Sequence, residues 1–197
     1  MTRSVSVKID PMQIAELKAE LERLHSASFG WALSCCRRDQ TEAEEVLQTV
    51  YLKIFEGKAR FGGESSLKTW LFAVIRKTAA TEYRRRLLRS FRLTGDPEEM
   101  VERFAINEAQ SAGVERSELQ GHFQSAMKSL PRRQREALHL VFYEDLSLRE
   151  AADVMGVSIG SARQHYERGK KRLRESLATM ELGYDINWRR AGNPSAV

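Results

Sequence analysis

The sequence predicts an all-α fold: two helical domains joined by a linker, the C-terminal one a helix-turn-helix domain. Three observations lead there. Apolar residues recur at helical spacing in every long segment, while strand-like alternation is nearly absent. The periodic segments form two blocks, separated from about Ser90 to Glu115 by a stretch where the pattern weakens and "LTGDPEEM" carries a turn signal. Helix-start residues and stop glycines punctuate both blocks.

In the first block, Ile14, Leu17, Leu21 and Leu24 share a face of a helix expected over about Met12 to Arg38. "TEAEEVLQTVYLKIFEG" opens the next helix, with Thr41 and Glu44 spaced as a capping box and Gly57 as its stop. "KARFGGESS" reads as a loop whose last two serines can each cap a helix. "LKTWLFAVIRKTAATEYRRRLLR" is that helix, apolar at Leu67, Leu71, Val74 and Ile75 and basic at its end. In the second block, "SELQGHFQSAMKSL" leads to Pro131, which suits the first turn of a new helix. Ser147 and Glu150 form another capping box, Gly156 ends that helix, and one long basic helix follows. The expected domains are residues 1–90 and 116–180, with a linker over 91–115 and a tail over 181–197.

Composition narrows the function. The 197 residues carry a formal net charge of +5, which permits a polyanionic partner. Cys35 and Cys36 are adjacent and too few for a disulfide framework, as in a reducing cytoplasm. The four scattered histidines give these thiols no metal-ligand spacing, so no metal is expected. "MTRSVSVKIDPMQ" lacks the apolar stretch of a signal peptide, and no run reaches membrane-spanning length, so no membrane insertion is expected. No nucleophile–base pair and no phosphate loop stands out. The expectation is a cytoplasmic protein that is not an enzyme and has no cofactor.

"LSLREAADVMGVSIGSARQHYERGKKRL" has the grammar of a helix-turn-helix. Ala151 and Ala152 let a second helix approach, Gly156 provides the turn, and Val157 and Ile159 can pack that turn on the core. Ser158 is the candidate cap of the second helix, which turns Ala162, Tyr166 and Leu173 inward. Ser161, Arg163, Gln164, Glu167 and Arg168 then face outward near its N-terminal half, where recognition helices meet base edges. Lys170 and Lys171, with Arg172 and Arg174, suit phosphates. A basic helix can also be a solvated surface, but the small-residue helix and glycine turn ahead of this one favour DNA. Such a motif fits a repressor, an activator or a recombinase, so the first block has to decide.

That block contains Ala43, Glu44, Glu45, Leu47, Gln48 and Tyr51 on one helix; then Phe61, Gly63, Ser65, Thr69, Trp70 and Leu71; then Arg84, Arg85 and Arg86. This pattern resembles region 2 of the extracytoplasmic-function (ECF) class of RNA polymerase sigma factors, in the sigma-70 family. "LPRRQREALHLVFYEDLSLREAADVMGVSIGSARQHYERGKKRLRESL" is similar to region 4 of the same family, in the family's order.

The resemblance implies that the chain binds core RNA polymerase, through its largest and second-largest subunits, and promoter DNA. An anti-sigma protein is a further candidate partner. It also implies that Glu44, Glu45, Gln48 and Tyr51 face the polymerase clamp. Phe61, Val74 and Lys77 would line a pocket for an unpaired base of the minus-ten element. Phe61 has the alternative role of anchoring its loop, and Trp70 reads as core. Arg84, Arg85, Arg86 and Arg89 would neutralise phosphates nearby, and the C-terminal helix would read the minus-thirty-five element as duplex. Lys77 stands where several relatives carry asparagine, and Thr49 where an acid is frequent. The tail over 181–197 has no assigned role: Tyr184, Ile186 and Trp188 alternate in "GYDINWRR", a pattern read either as a frayed terminus with chance aromatics or as a segment that docks on the protein and tunes its activity. The alternative function is a stand-alone helix-turn-helix regulator, which would bind duplex DNA without polymerase.

Overall fold

A computed structural model describes residues 11–94 and 118–179, and among these described residues there are eight helices. They are α1 (Pro11–Arg23), α2 (His25–Cys35), α3 (Gln40–Phe55) and α4 (Leu67–Thr94), then α5 (Glu118–Ser129), α6 (Arg132–Phe142), α7 (Leu148–Met155) and α8 (Ile159–Thr179). The expected linker and tail lie almost entirely outside the described residues. So does the proposed docking of Tyr184, Ile186 and Trp188.

The single first helix expected from the sequence is two. Leu24 interrupts it and offers no side-chain cap, yet the i→i−4 bonds run on through it: Leu24 N–H donates to Glu20 O at 3.0 Å, and Ser28 N–H to Leu24 O at 2.8 Å. The break is therefore a local bend, which periodicity cannot register. Helix α2 then stops because Arg37 and Arg38 both take positive φ, 54° and 67°. The cap of α3 is also not the expected one. Asp39, not Thr41, accepts the backbone N–H of Glu42, at 2.8 Å. Aspartate directly after the turn reaches the free N–H groups of the first turn, which leaves Thr41 inside the helix.

Other signals read as expected. Ser66 accepts the N–H of Thr69 at 3.1 Å and so caps α4. Pro131 stands at the N-cap of α6, Ser147 and Glu150 form both bonds of a capping box, and Gly57 and Gly156 have φ of 67° and 62°.

The first block packs α2, α3 and α4 against one another around Trp31, Val46, Val50, Leu71, Phe72 and Ile75, all buried. The second packs α6, α7 and α8 around Leu138, Leu140, Ala151, Met155 and Leu173. Gly169 sets the spacing of α6 and α8. A Cβ there would stand 3.1 Å from Leu138 Cδ1 and 3.2 Å from the Gln134 carbonyl oxygen. The two blocks also touch, α4 against α7 and α2 against α6.

Candidate nucleic-acid interface

The helix-turn-helix is built by its caps. Glu150 and Ser147 close the start of α7. Its end is held by Gly156, in the left-handed conformation, and by Arg133 Nη1, which donates to Met155 O at 3.0 Å. Two residues later Ser158 Oγ accepts the N–H of Ser161 at 3.2 Å and starts α8. Three residues on the inner face of α8, Ala162, Tyr166 and Leu173, are buried as their spacing predicts. The opposite face therefore points outward, and Arg163, Gln164, Glu167, Arg168 and Lys171 are exposed on it.

Four of the residues expected on the outer face, Ser161, Glu167, Lys170 and Lys171, are engaged within the protein. The Ser161 hydroxyl lies 2.9 Å from that of Ser158, so it reinforces the cap. Lys170 Nζ is 3.0 Å from Glu167 Oε1 and 4.7 Å from the centre of the Tyr166 ring. Lys171 Nζ lies 3.9 Å from Glu175 Oε1, on the surface. Arg163, Gln164 and Arg168 are the other long polar side chains exposed on this face. One expected core residue is not core: Ile159 is 43% exposed at the N-terminus of α8. Only Val157 turns partly inward, because Ile159 follows the cap residue and projects from the first helical turn. An exposed isoleucine at this end suits a thymine methyl group. The sequence signal was there, an apolar residue just after a cap, but it reads equally as core.

Helix α4 has three faces, since its 3.6-residue repeat spreads side chains around the axis. Leu71, Ile75 and Ala79 are buried against the rest of the first block. Lys68, Thr69 and Arg76 bond to the second block. The third face runs through Trp70, Val74 and Lys77 toward Arg84 and Leu88. Phe61 leans on it from the loop, its ring centre 5.6 Å from that of Trp70, and is still 41% exposed. Val74 is half-buried and Lys77 exposed. The three residues expected to line a base pocket are therefore on one face. Phe61 packs on Trp70, as expected of a loop anchor, and keeps an open side. Arg84, Arg85 and Arg89 are exposed beyond it, with Arg85 Nη1 3.2 Å from Glu82 Oε1. Arg86 is turned elsewhere. It pairs with Glu42 and, at 3.1 Å, with Glu45 of α3.

On α3, Glu44, Glu45 and Gln48 are exposed, and Gln40 Nε2 donates to Glu44 Oε1 at 3.2 Å. Tyr51 is half-buried, with its hydroxyl 3.1 Å from His25 Nδ1, and burial raises its pKa. The stripe goes on through Leu52 and Phe55, which are 60% and 49% exposed. Sequence reading missed both, because an apolar residue at helical spacing is ordinarily assigned to the core. Phe55 and Tyr51 border a cleft of about 320 Å³ that is also lined by Lys18, Leu21, Glu22 and His25. Among the described residues no group of His, Cys, Asp and Glu could hold a metal ion.

Both helical blocks match known protein families. Residues 21–88 match Sigma-70 region 2, and residues 121–173 match Sigma-70, region 4. Together the two matches span more than half of the chain. Among curated proteins, RNA polymerase sigma factor SigZ of Bacillus subtilis is 25% identical over 71% of this chain and 74% of its own length. The ECF RNA polymerase sigma factor EcfG of Rhodopseudomonas palustris is 28% identical over 66% of this chain and 68% of its own. A solved structure of similar fold is the sigma factor RpoE of Bartonella quintana in complex with the anti-sigma factor NepR. It has a TM-score of 0.66 and 24% identity, covering 83% of this chain and 97% of that one. Two regions in this order favour a promoter-recognising initiation factor over a stand-alone regulator. With a region 2 surface on α3 and α4 and a region 4 helix-turn-helix on α7 and α8, the chain belongs to the ECF class of the sigma-70 family, whose members are transcription initiation factors and not enzymes.

Proposed function

We propose that this chain divides the work of initiation among three surfaces. Glu44 and Gln48, continued by Leu52 and Phe55, bind the clamp of core RNA polymerase; Glu45 and Tyr51 border that contact. Phe61, Val74 and Lys77 receive an unpaired minus-ten base. An aromatic surface beside a cation suits a base leaving its stack. Arg84, Arg85 and Arg89 neutralise phosphates beside it, and Arg86 joins them only by leaving Glu42 and Glu45. The open face of α8 reads the minus-thirty-five duplex: Arg163, Gln164 and Arg168 at bases, Ser161 and Glu167 at its edge, Lys170 and Lys171 at phosphates. The functional units are residues 1–90 and 116–180, with 91–115 as connection and 181–197 as a tail of separate role.

The observation that carries this reading is the presence on one chain of an open recognition helix and a separate aromatic and basic face. A duplex reader needs only the first. The chain itself carries out no chemistry, which polymerase supplies, and it works in the cytoplasm on core enzyme and promoter DNA, with an anti-sigma protein as a further partner. Among the described residues no helix is long and apolar enough to cross a membrane. The test is run-off transcription with purified core polymerase and genomic DNA fragments. Discrete transcripts that need both chain and core support the reading, and sequence-specific duplex binding without any transcript overturns it.

A further inference from the structure

A cleft of about 220 Å³ lies beside the end of α2, with α5 and α6 across from it. Its lining shares no residue with the three surfaces assigned to initiation. Among the described residues around it, Arg37, Arg38, Lys128 and Arg135 are cations and none is a carboxylate. The whole chain has 27 Asp and Glu against 32 Lys and Arg, so this local excess of one sign is not simply its average composition. A cleft lined by one sign of charge focuses its field on the opposite ion, here an anion.

The other half of the lining is aromatic. His139 stacks on Tyr143, with 5.3 Å between ring centres and 27° between planes, and Phe123 meets Tyr143 edge-on at 6.4 Å. Tyr143 is nonetheless 56% exposed, so its ring has room for a further flat group. Leu33 and Met127 add apolar surface beside it. The Arg38 guanidinium acts on the Tyr143 hydroxyl, opposing the rise in pKa that burial causes, so charge and ring work within reach of each other.

The two arginines of α2 stand in a costly conformation. Arg37 and Arg38 have φ of 54° and 67°, where glycine or asparagine is at far greater ease. A turn alone would be better served by either of those residues. A strained backbone at the edge of a cleft points to a use for the side chains it carries. Arg37 Nη2 donates to the Tyr83 hydroxyl at 3.1 Å, and Arg135 Nη1 to Lys128 O at 3.1 Å, which orders both guanidinium groups beside the cleft.

We propose that this cleft is a binding site for a nucleotide, whose base stacks on Tyr143 and whose phosphates meet Arg37, Arg38, Lys128 and Arg135. Stacking tolerates any base, and the arginine fork matches phosphate oxygens. The volume is below the roughly 300–1,000 Å³ of sites that enclose drug-sized ligands. It holds a base and leaves the phosphates at the mouth, and it excludes a peptide helix or a duplex. The site is separate from the initiation surfaces and does not depend on that reading.

Isothermal titration calorimetry of the full chain with ADP tests this, with adenosine and pyrophosphate as the two halves of the probe. ADP is expected to bind at a single site, and each half at least about tenfold more weakly. Arg38→Asn removes the charge but keeps a residue suited to positive φ. Tyr143→Leu removes the ring but keeps apolar bulk. Each is expected to weaken ADP at least about fivefold, while Lys58→Ala, at an exposed cation elsewhere, leaves its affinity unchanged. Melting temperatures report folding, and Arg38→Gly or Tyr143→Met replaces a variant that melts markedly below the wild type. No ADP binding by the wild type would overturn the site. Pyrophosphate binding as tightly as ADP, or undiminished affinity in the Tyr143 variant, would make it a plain anion site and overturn the nucleotide. Equal losses from the Arg38 and Lys58 variants would show diffuse charge attraction and overturn the site as well.

Discussion

Arg86 Nη2 lies 3.1 Å from Glu45 Oε2 and ties the basic end of α4 to the acidic face of α3. The surface proposed for polymerase and the surface proposed for DNA phosphates thus share a pair. A change at Glu45 acts on both, whereas Glu44 accepts from Gln40 of its own helix.

Charge reversal at these two positions is therefore predicted to separate. Glu44→Lys weakens core binding about tenfold, a loss of about 1.4 kcal/mol, and leaves promoter selectivity unchanged. Glu45→Lys weakens core binding too and also releases Arg86. Fluorescence anisotropy with core polymerase, alongside circular dichroism, measures both. Unchanged core affinity of a folded Glu44→Lys protein would contradict the clamp assignment.

The outer face of α8 predicts two kinds of DNA loss. Arg163→Ala relaxes preference at particular minus-thirty-five positions by about 1–3 kcal/mol per bidentate contact. Lys171→Ala weakens binding to all sequences and lowers the salt slope by about one. Binding profiles across a mutated promoter set distinguish them, and equal uniform loss from both would refute the division.

Gly169 predicts a stability effect with no charge involved. Because a Cβ there meets Leu138 and the Gln134 carbonyl at 3.1–3.2 Å, Gly169→Leu must push α8 off α6. The expected cost is about 1–3 kcal/mol, read from denaturant midpoints. A midpoint equal to wild type would show that the helices can move apart freely.

Burial pushes the Cys36 thiol up to about 11, and the Cys35 thiol also well above its usual range. At pH 8 only about one Cys36 in a thousand is thiolate, and thiolate is the reactive form. Alkylation of the native protein at pH 8 is expected to be slow at both residues and rapid after denaturation. Rapid native labelling would mean that the α2–α4 core opens readily.

Burial raises the pKa of Glu150, but bonds from the Ser147 backbone and hydroxyl and from Thr69, with Lys68 nearby, outweigh it and hold the carboxyl below its usual value. A depressed carboxylate contributes stability above its unfolded pKa and loses it as pH falls through the folded one. Since Thr69 belongs to the other block, acidification below about pH 4 is predicted to lower Tm, and Glu150→Gln to flatten that decline. A Tm profile identical in the variant would exclude Glu150 as a contributor.

Much of this fold could be read from single residues that act on their own backbone. Ser147, Gly156 and Ser158 set the helix-turn-helix locally, and each does what its type predicts. The misreadings have two causes. Asp39 rather than Thr41 caps α3 because two adjacent arginines enter positive φ just before it, and no propensity favours that conformation for arginine. Ile159, Leu52 and Phe55 are exposed where apolar periodicity implies burial, because periodicity gives the face of a helix and not what covers it. The contact between the blocks was not legible at all. Lys68, Arg76, Glu136 and Glu144 are ordinary surface charges in sequence, and only the approach of α4 to α7 and of α2 to α6 buries the two acids.

The face of Phe61, Val74 and Lys77 is proposed to let the chain open promoter DNA with polymerase, besides reading duplex. Permanganate reactivity of promoter thymines, with core polymerase and the chain together, tests it most directly. Reactive, unpaired thymines are expected at the minus-ten element; they require both proteins and fade in Phe61→Ala while minus-thirty-five protection persists. Protection of duplex DNA with no reactive thymine under any condition would contradict it.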